Sequence, residues 1–135
     1  MSQARKQLKI ISFIQVAVMV WAVVQGVLFV TSAPEGANPL GLESQVFGIL
    51  LGVLLVVAGA FTFLAAAQGI RGANVPSKLG PHAAINAGGT VVALAGAVLA
   101  IMSEAPLNPY AYFLVLVVDV ASFIWGNKVR KELDR

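Results

Sequence analysis

Four long apolar runs, residues 10–30, 46–67, 83–102 and 110–126, alternate with short polar or Gly- and Pro-rich connections along the 135-residue chain. Each is close to the ~20 residues that an α-helix needs to cross the hydrocarbon of a bilayer at about 1.5 Å per residue. A membrane barrel would require alternating apolar and polar positions, and no such alternation is present. Breakers fall between the runs: Pro34 and Pro39 follow the first, Gly80 and Pro81 precede the third, and Asn108 and Pro109 precede the fourth. Asn108 is placed to cap that last helix and Pro109 to open it. The pattern predicts an all-α integral membrane protein whose four transmembrane helices form an antiparallel bundle, a single domain over residues 1–135.

Composition points the same way. Hydrophobic residues make up 59% of the chain and charged residues 11%, against roughly a quarter charged in a soluble domain. The charges also have a direction. Arg5, Lys6 and Lys9 precede the first run, Arg71 and Lys78 lie between the second and third, and Lys128, Arg130, Lys131 and Arg135 follow the fourth, so all nine basic residues fall on one side. The two remaining connections carry only Glu35, Glu43 and Glu104. Basic residues in short loops resist translocation, so the sequence predicts cytoplasmic termini and a cytoplasmic middle loop, in a bacterial-type plasma (inner) membrane.

A cleaved leader is the competing assignment for the first run, with Thr31, Ser32 and Ala33 as a small-residue cleavage site. The run exceeds the ~7–15 apolar residues of a leader, which favours a retained span. With no cysteine in the chain, disulfides and thiolate metal sites are outside its chemistry.

The connections leave little room for a separate binding module. Residues 31–44 have neither a strand nor a helix period and are expected to be irregular, and residues 103–108 are short enough to make a tight hairpin between the last two spans. The middle connection, residues 69–82, combines three Gly and two Pro with Arg71 and Lys78. These two cations are candidates for anionic lipid headgroups, although the same loop is accounted for by its topological role. His82 has no second ligand close in sequence, so no metal site is expected.

Small residues recur at helical spacing in the second and third runs: Gly48, Gly52 and Gly59, then Gly89, Ala93 and Ala97. Such faces let helix backbones approach closely, where dispersion replaces the hydrophobic driving force that lipid removes. Within one chain or between copies, they mark helix contacts.

Polar side chains within the runs are few: Ser12, Gln15 and Gln25, Thr62 and Gln68, Asn86 and Thr90, Asp119 and Ser122. Asp119 is the one ionisable group among them, ~13 Å inside the boundary by helical rise. Gln15 and Thr90 fall at similar depth, which makes Asp119, Gln15, Thr90 and Ser122 a candidate polar site. Tyr112, Leu116, Asp119, Ser122 and Gly126 share a face by i+3 and i+4 spacing, so the acid should point at neighbouring helices and not at lipid. Hydrocarbon disfavours a bare carboxylate, and the expected state is a neutral acid that donates a hydrogen bond. Trp21 falls mid-span and is expected to pack on a small-residue face of the second or third helix.

No Ser/His/Asp set, carboxylate pair, metal-ligand cluster or nucleotide-binding loop is present, so the sequence predicts neither an enzyme nor a cofactor, and its partners are the bilayer and membrane proteins with no nucleic acid. Two roles fit. One is a helix-packing or accessory subunit, a homo-oligomer or a companion of a larger membrane protein. The other is a small proton- or cation-coupled transporter or channel centred on Asp119, because intramembrane acids are costly and usually functional.

Overall fold

The computed structural model describes residues 2–104 and 108–133. Four α-helices account for most of them: α1 (Gln3–Ser32), α2 (Ser44–Asn74), α3 (His82–Ile101) and α4 (Tyr110–Leu133), with a short 3-10 turn, Pro76–Lys78, between α2 and α3. Each of the four α-helices is long and apolar enough to cross a membrane. Among the described residues there is no strand.

Three helices run past the apolar segments that define them. Ser2 caps α1, its hydroxyl accepting the Arg5 N–H at 3.2 Å, so Arg5, Lys6 and Lys9 lie on the helix and not before it. Helix α2 continues through the Gly-rich stretch to Asn74, and residues 69–74 of the connection expected at residues 69–82 are therefore helical. The reason is packing: a Cβ at Gly72 would overlap the Leu79 side chain, and one at Gly69 would overlap Ser12 Oγ. These glycines are chosen by their neighbours and not by a turn. Asn108 Oδ1 accepts the Tyr110 N–H at 3.0 Å, the cap at the start of α4. Residues 105–107, at the centre of the connection expected to be a tight hairpin, lie outside the described residues.

Hydrogen bonds gather the basic segments at one end of the bundle. Arg5 donates from Nε to the Ala73 carbonyl at 2.7 Å and from Nη2 to the Asn74 carbonyl at 2.5 Å, and Lys9 Nζ donates to Asn74 Oδ1 at 3.1 Å. Arg5 thus satisfies two end carbonyls of α2, and Lys9, on the Asn74 side chain, adds a second cation at its negative dipole end. Ser2 Oγ donates to Glu132 at 2.9 Å, the Trp125 indole donates to Gln7 Oε1, and Arg130 Nη2 donates to the Gly80 carbonyl at 2.7 Å. Leu8, Leu79 and Val129 close a small apolar cluster beneath them. At the opposite end the Glu104 N–H reaches the Ala37 carbonyl at 2.9 Å, tying the other two connections together.

The core has two halves of different character. Towards the Glu104 end it is apolar: Phe29, Phe47, Leu51, Leu55, Ala97, Ala100, Tyr112 and Val115 are buried together. Tyr112 stacks near Phe29 at a centroid distance of 6.1 Å, its hydroxyl donates to the Leu51 carbonyl, and Gly96 leaves space for its ring. Towards the basic end a group of buried polar side chains lies between this core and the Leu8, Leu79 and Val129 cluster.

The small-residue faces are used inside the chain. A Cβ on Gly26 would stand 2.9 Å from the Gly52 carbonyl oxygen, and one on Gly48 would stand 2.8 Å from that of Phe29, so α1 and α2 meet backbone to backbone. Gly59 faces Ala22 at ordinary contact distance. Ala93 and Ala97 are buried in the core, whereas Gly89 abuts Asp119 and Phe61. Trp21 departs from expectation: its side chain is 48% exposed on the outer surface of α1. The surfaces of α2 it was expected to meet are already filled by Gly26, Ala22 and Val23.

Candidate functional site

Seven polar side chains from all four helices are fully buried next to one another: Ser12 and Gln15 of α1, Thr62 of α2, His82 and Asn86 of α3, and Asp119 and Ser122 of α4. Helical spacing explains their alignment. Ser12 and Gln15 are i,i+3, His82 and Asn86 are i,i+4, and Asp119 and Ser122 are i,i+3, so each pair projects from one face of its helix.

Asp119 lies at the deep end. Gln15 Nε2 donates to Asp119 Oδ1 at 3.0 Å. Thr62 Oγ1 lies 2.9 Å from Oδ1 and 3.1 Å from Oδ2, and 3.0 Å from the Ala58 carbonyl oxygen of its own helix. A hydroxyl carries one proton, and that single proton has two possible destinations here. Toward a carboxylate, Thr62 donates to Asp119. Toward a neutral acid, Asp119 donates to Thr62 Oγ1 and Thr62 donates to Ala58. Rotation of one O–H switches between them with every heavy atom in place.

From Asp119 the network runs toward the basic end. The second Gln15 N–H donates to Asn86 Oδ1 at 3.0 Å, which turns the Asn86 amide toward α4. That amide donates to Ser122 Oγ at 3.0 Å and lies 3.2 Å from His82 Nε2. Ser122 Oγ is 2.9 Å from the same ring nitrogen. The Asn86 amide nitrogen also lies 3.5 Å from Nδ1, so it faces the ring as a whole, and Ser122 Oγ donates to Nε2 or accepts from it according to the tautomer.

Three glycines from three helices make the space. A Cβ at Gly89 would overlap Asp119 Oδ2, one at Gly126 would overlap the His82 ring, and one at Gly69 would overlap Ser12 Oγ and press on His82 Nε2 at 3.2 Å. Two buried atoms, Ser12 Oγ and Gln15 Oε1, have no hydrogen-bond partner among the described residues. Both belong to the face of α1 that lines the cluster.

The expected site is thus partly reassembled. Asp119, Gln15 and Ser122 meet, but Thr90 does not join them: its hydroxyl donates to the Asn86 carbonyl at 2.8 Å, and its side chain lines an apolar groove between α3 and α4 with Val91, Val120 and Phe123. Thr62, Asn86, Ser12 and His82 take its place. The first three are legible as polar positions within apolar runs; His82, at the edge of a Gly-Pro break, gives no such signal. Arg71 and Lys78 are exposed at the basic end. Among the described residues, no three His, Cys, Asp or Glu side chains gather as metal ligands would.

No protein-family model, curated protein or solved structure matches the chain. The side-chain chemistry of the bundle is therefore the guide to what it does.

Proposed function

We propose that the chain is a small proton-coupled carrier or channel of a bacterial-type plasma membrane, with both termini cytoplasmic, an antiparallel bundle, and Asp119 as the group that binds and releases the proton. The observation that carries this is the Thr62 hydroxyl between Asp119 and the Ala58 carbonyl. A site that satisfies its hydrogen bonds in both protonation states exchanges a proton without leaving a buried polar group unpaired, which would cost about 1–3 kcal/mol. The donor set favours a proton over a metal cation, because Gln15 N–H and Thr62 O–H point at the carboxyl oxygens where a metal ion would need lone pairs. Arg71 and Lys78 then face anionic headgroups of the inner leaflet.

The test is flux in proteoliposomes. A pH gradient should drive proton movement that Asp119→Asn abolishes, with sodium, potassium and organic cations as parallel arms. Absence of pH-dependent flux for every ion tested contradicts the assignment.

A second role, an accessory subunit bound to itself or to a larger membrane protein, has one specific observation behind it. Trp21 is exposed halfway along the first apolar run, and its indole N–H has no acceptor among the described residues. A partner helix would supply one. Cross-linking from a photoreactive group at Trp21 separates this from plain lipid contact.

A further inference from the structure

We infer that in the conformation described, with no co-transported substrate added, Asp119 exchanges its proton with the basic end of the bundle alone, and that His82, with a water held by Ser12 and Gln15, is the relay between that end and the acid. The inference rests on the proposed role of Asp119 as a proton site and adds the route and the side.

The two halves of the core carry it. Between Asp119 and the Glu104 end stand Val115, Leu55, Leu51, Tyr112 and Phe29, all buried, and the Tyr112 hydroxyl is already committed to the Leu51 carbonyl. Among the described residues that half buries no other polar side chain. Between Asp119 and the basic end the buried polar side chains are Gln15, Asn86, Ser122, Ser12 and His82, and Leu8, Leu79 and Val129 form a small buried apolar cluster at that end. At the basic end an open depression of about 280 Å³ is lined by Pro76, Ser77, Leu79, Gly80, Arg130 and Leu133. Gly80 is two residues from His82, and Arg130 is one turn beyond Gly126, the glycine on which the imidazole rests. His82 is buried and lies outside this lining, so proton entry from the basic end requires a local opening beside Leu79.

The relay needs one more participant. Gln15 and Asn86 are amides, which orient neighbours but do not readily pass protons, and they stand between Ser122 and Asp119. Ser12 Oγ and Gln15 Oε1, without partners among the described residues, are two buried polar atoms on one helix face, one beside the imidazole and the other on the amide bonded to Asp119, and the relay places its water between them. In each transfer only N–H and O–H bonds break and form. His82 gains a proton at one ring nitrogen and releases one from the other, the water receives it and yields one to Asp119, and return follows the same atoms. The groups facing Asp119 are Gln15, Thr62 and Gly89, none of them titratable. Those facing His82 are Ser12, Gly69, Asn86, Ser122 and Gly126, with the Arg130 guanidinium as the charge that acts on it.

The experiment uses the full chain in vesicles of one orientation, set by protease access to the C-terminal segment. The infrared carboxyl absorption of Asp119, identified by its loss in Asp119→Asn, is followed after a pH jump on one side with the other side held fixed. The expected result is a band that tracks a jump at the basic end, does not respond to one at the opposite end, and in His82→Gln relaxes slower by on the order of tenfold or more. A band that follows the opposite side, or both sides equally, overturns the inference, and this needs no variant. A one-sided response that His82→Gln leaves unchanged overturns the relay. A band that responds to neither side overturns both the relay and the assignment of Asp119 as a proton site. One-sided titration in vesicles that show no net flux leaves the relay standing and removes the transport role.

Discussion

Gly89 and Asp119 fit together so closely that a Cβ on the glycine would occupy the place of the carboxyl Oδ2. The glycine belongs to a stripe of small residues that reads as a helix-packing face, and its actual neighbour is the buried acid together with Phe61. Gly89→Ala should push the carboxyl away from Thr62 and Gln15, costing about 1–3 kcal/mol as overpacking does. Unfolding in mixed detergent micelles measures the loss. The infrared carboxyl band should shift in the same variant, whereas a variant at an equally buried position remote from Asp119, such as Ala97→Gly, should leave it in place.

The amide of Gln15 joins three helices by donating to both Asn86 and Asp119. Gln15→Leu keeps the volume and removes both bonds. Each interhelical bond in a membrane contributes about 0.6 kcal/mol on average and seldom above about 1.7, so a loss of about 1–2 kcal/mol in the same unfolding assay is expected. A loss well beyond that range would mean that the Asp119 acid left behind is paying a burial cost the rest of the cluster does not relieve.

Gly26 and Gly52 bring α1 and α2 into backbone contact inside one chain. Gly52→Leu should therefore destabilise or unfold the protomer and leave the oligomeric state of whatever remains folded unchanged, as read by light scattering on a size-exclusion column. Dissociation of an assembly into intact, folded protomers would show that this face works between copies.

Ala33 ends α1 with φ of 42°, a left-handed conformation that a Cβ disfavours. Ala33→Gly should stabilise the bundle by up to ~1 kcal/mol, the relieved strain being partly offset by the greater freedom of glycine in the unfolded chain. Thermal unfolding compared with wild type reads the sign directly.

At the basic end, Arg5 spans the last two carbonyls of α2 with two different nitrogens. Arg5→Ala should cost about 1 kcal/mol, and Arg5→Lys should recover only part of it, because an ammonium group cannot reproduce the planar fork. Hydrogen exchange of the final turn of α2 localises the effect.

Hydropathy alone locates the four spans, and the burial of Asp119 follows from spacing along its helix, since an acid costs too much anywhere but the bundle interior. What the sequence hides depends on rotation about each helix axis and on tertiary contact. Thr90 sits at the right depth, but its hydroxyl is satisfied by the Asn86 carbonyl and its side chain turns into the groove beside Val120. Depth follows from rise, while direction requires the neighbouring helices. His82 resembles a loop residue because Gly80 and Pro81 precede it, and it becomes buried only because Gly69 and Gly126 leave room for its ring. The glycines between residues 69 and 72 resemble turn formers for a related reason: their small size serves Ser12, His82 and Leu79, which are distant in sequence.

The central claim, that Asp119 is the proton-binding group, is tested most directly by an equilibrium infrared titration of the protein in lipid, wild type minus Asp119→Asn. The account predicts a single carboxylic acid band that is lost and regained reversibly with pH while the amide bands of the folded helices stay constant. A difference spectrum in which the protonation state of Asp119 does not change over the whole pH range where the bundle stays folded would contradict it.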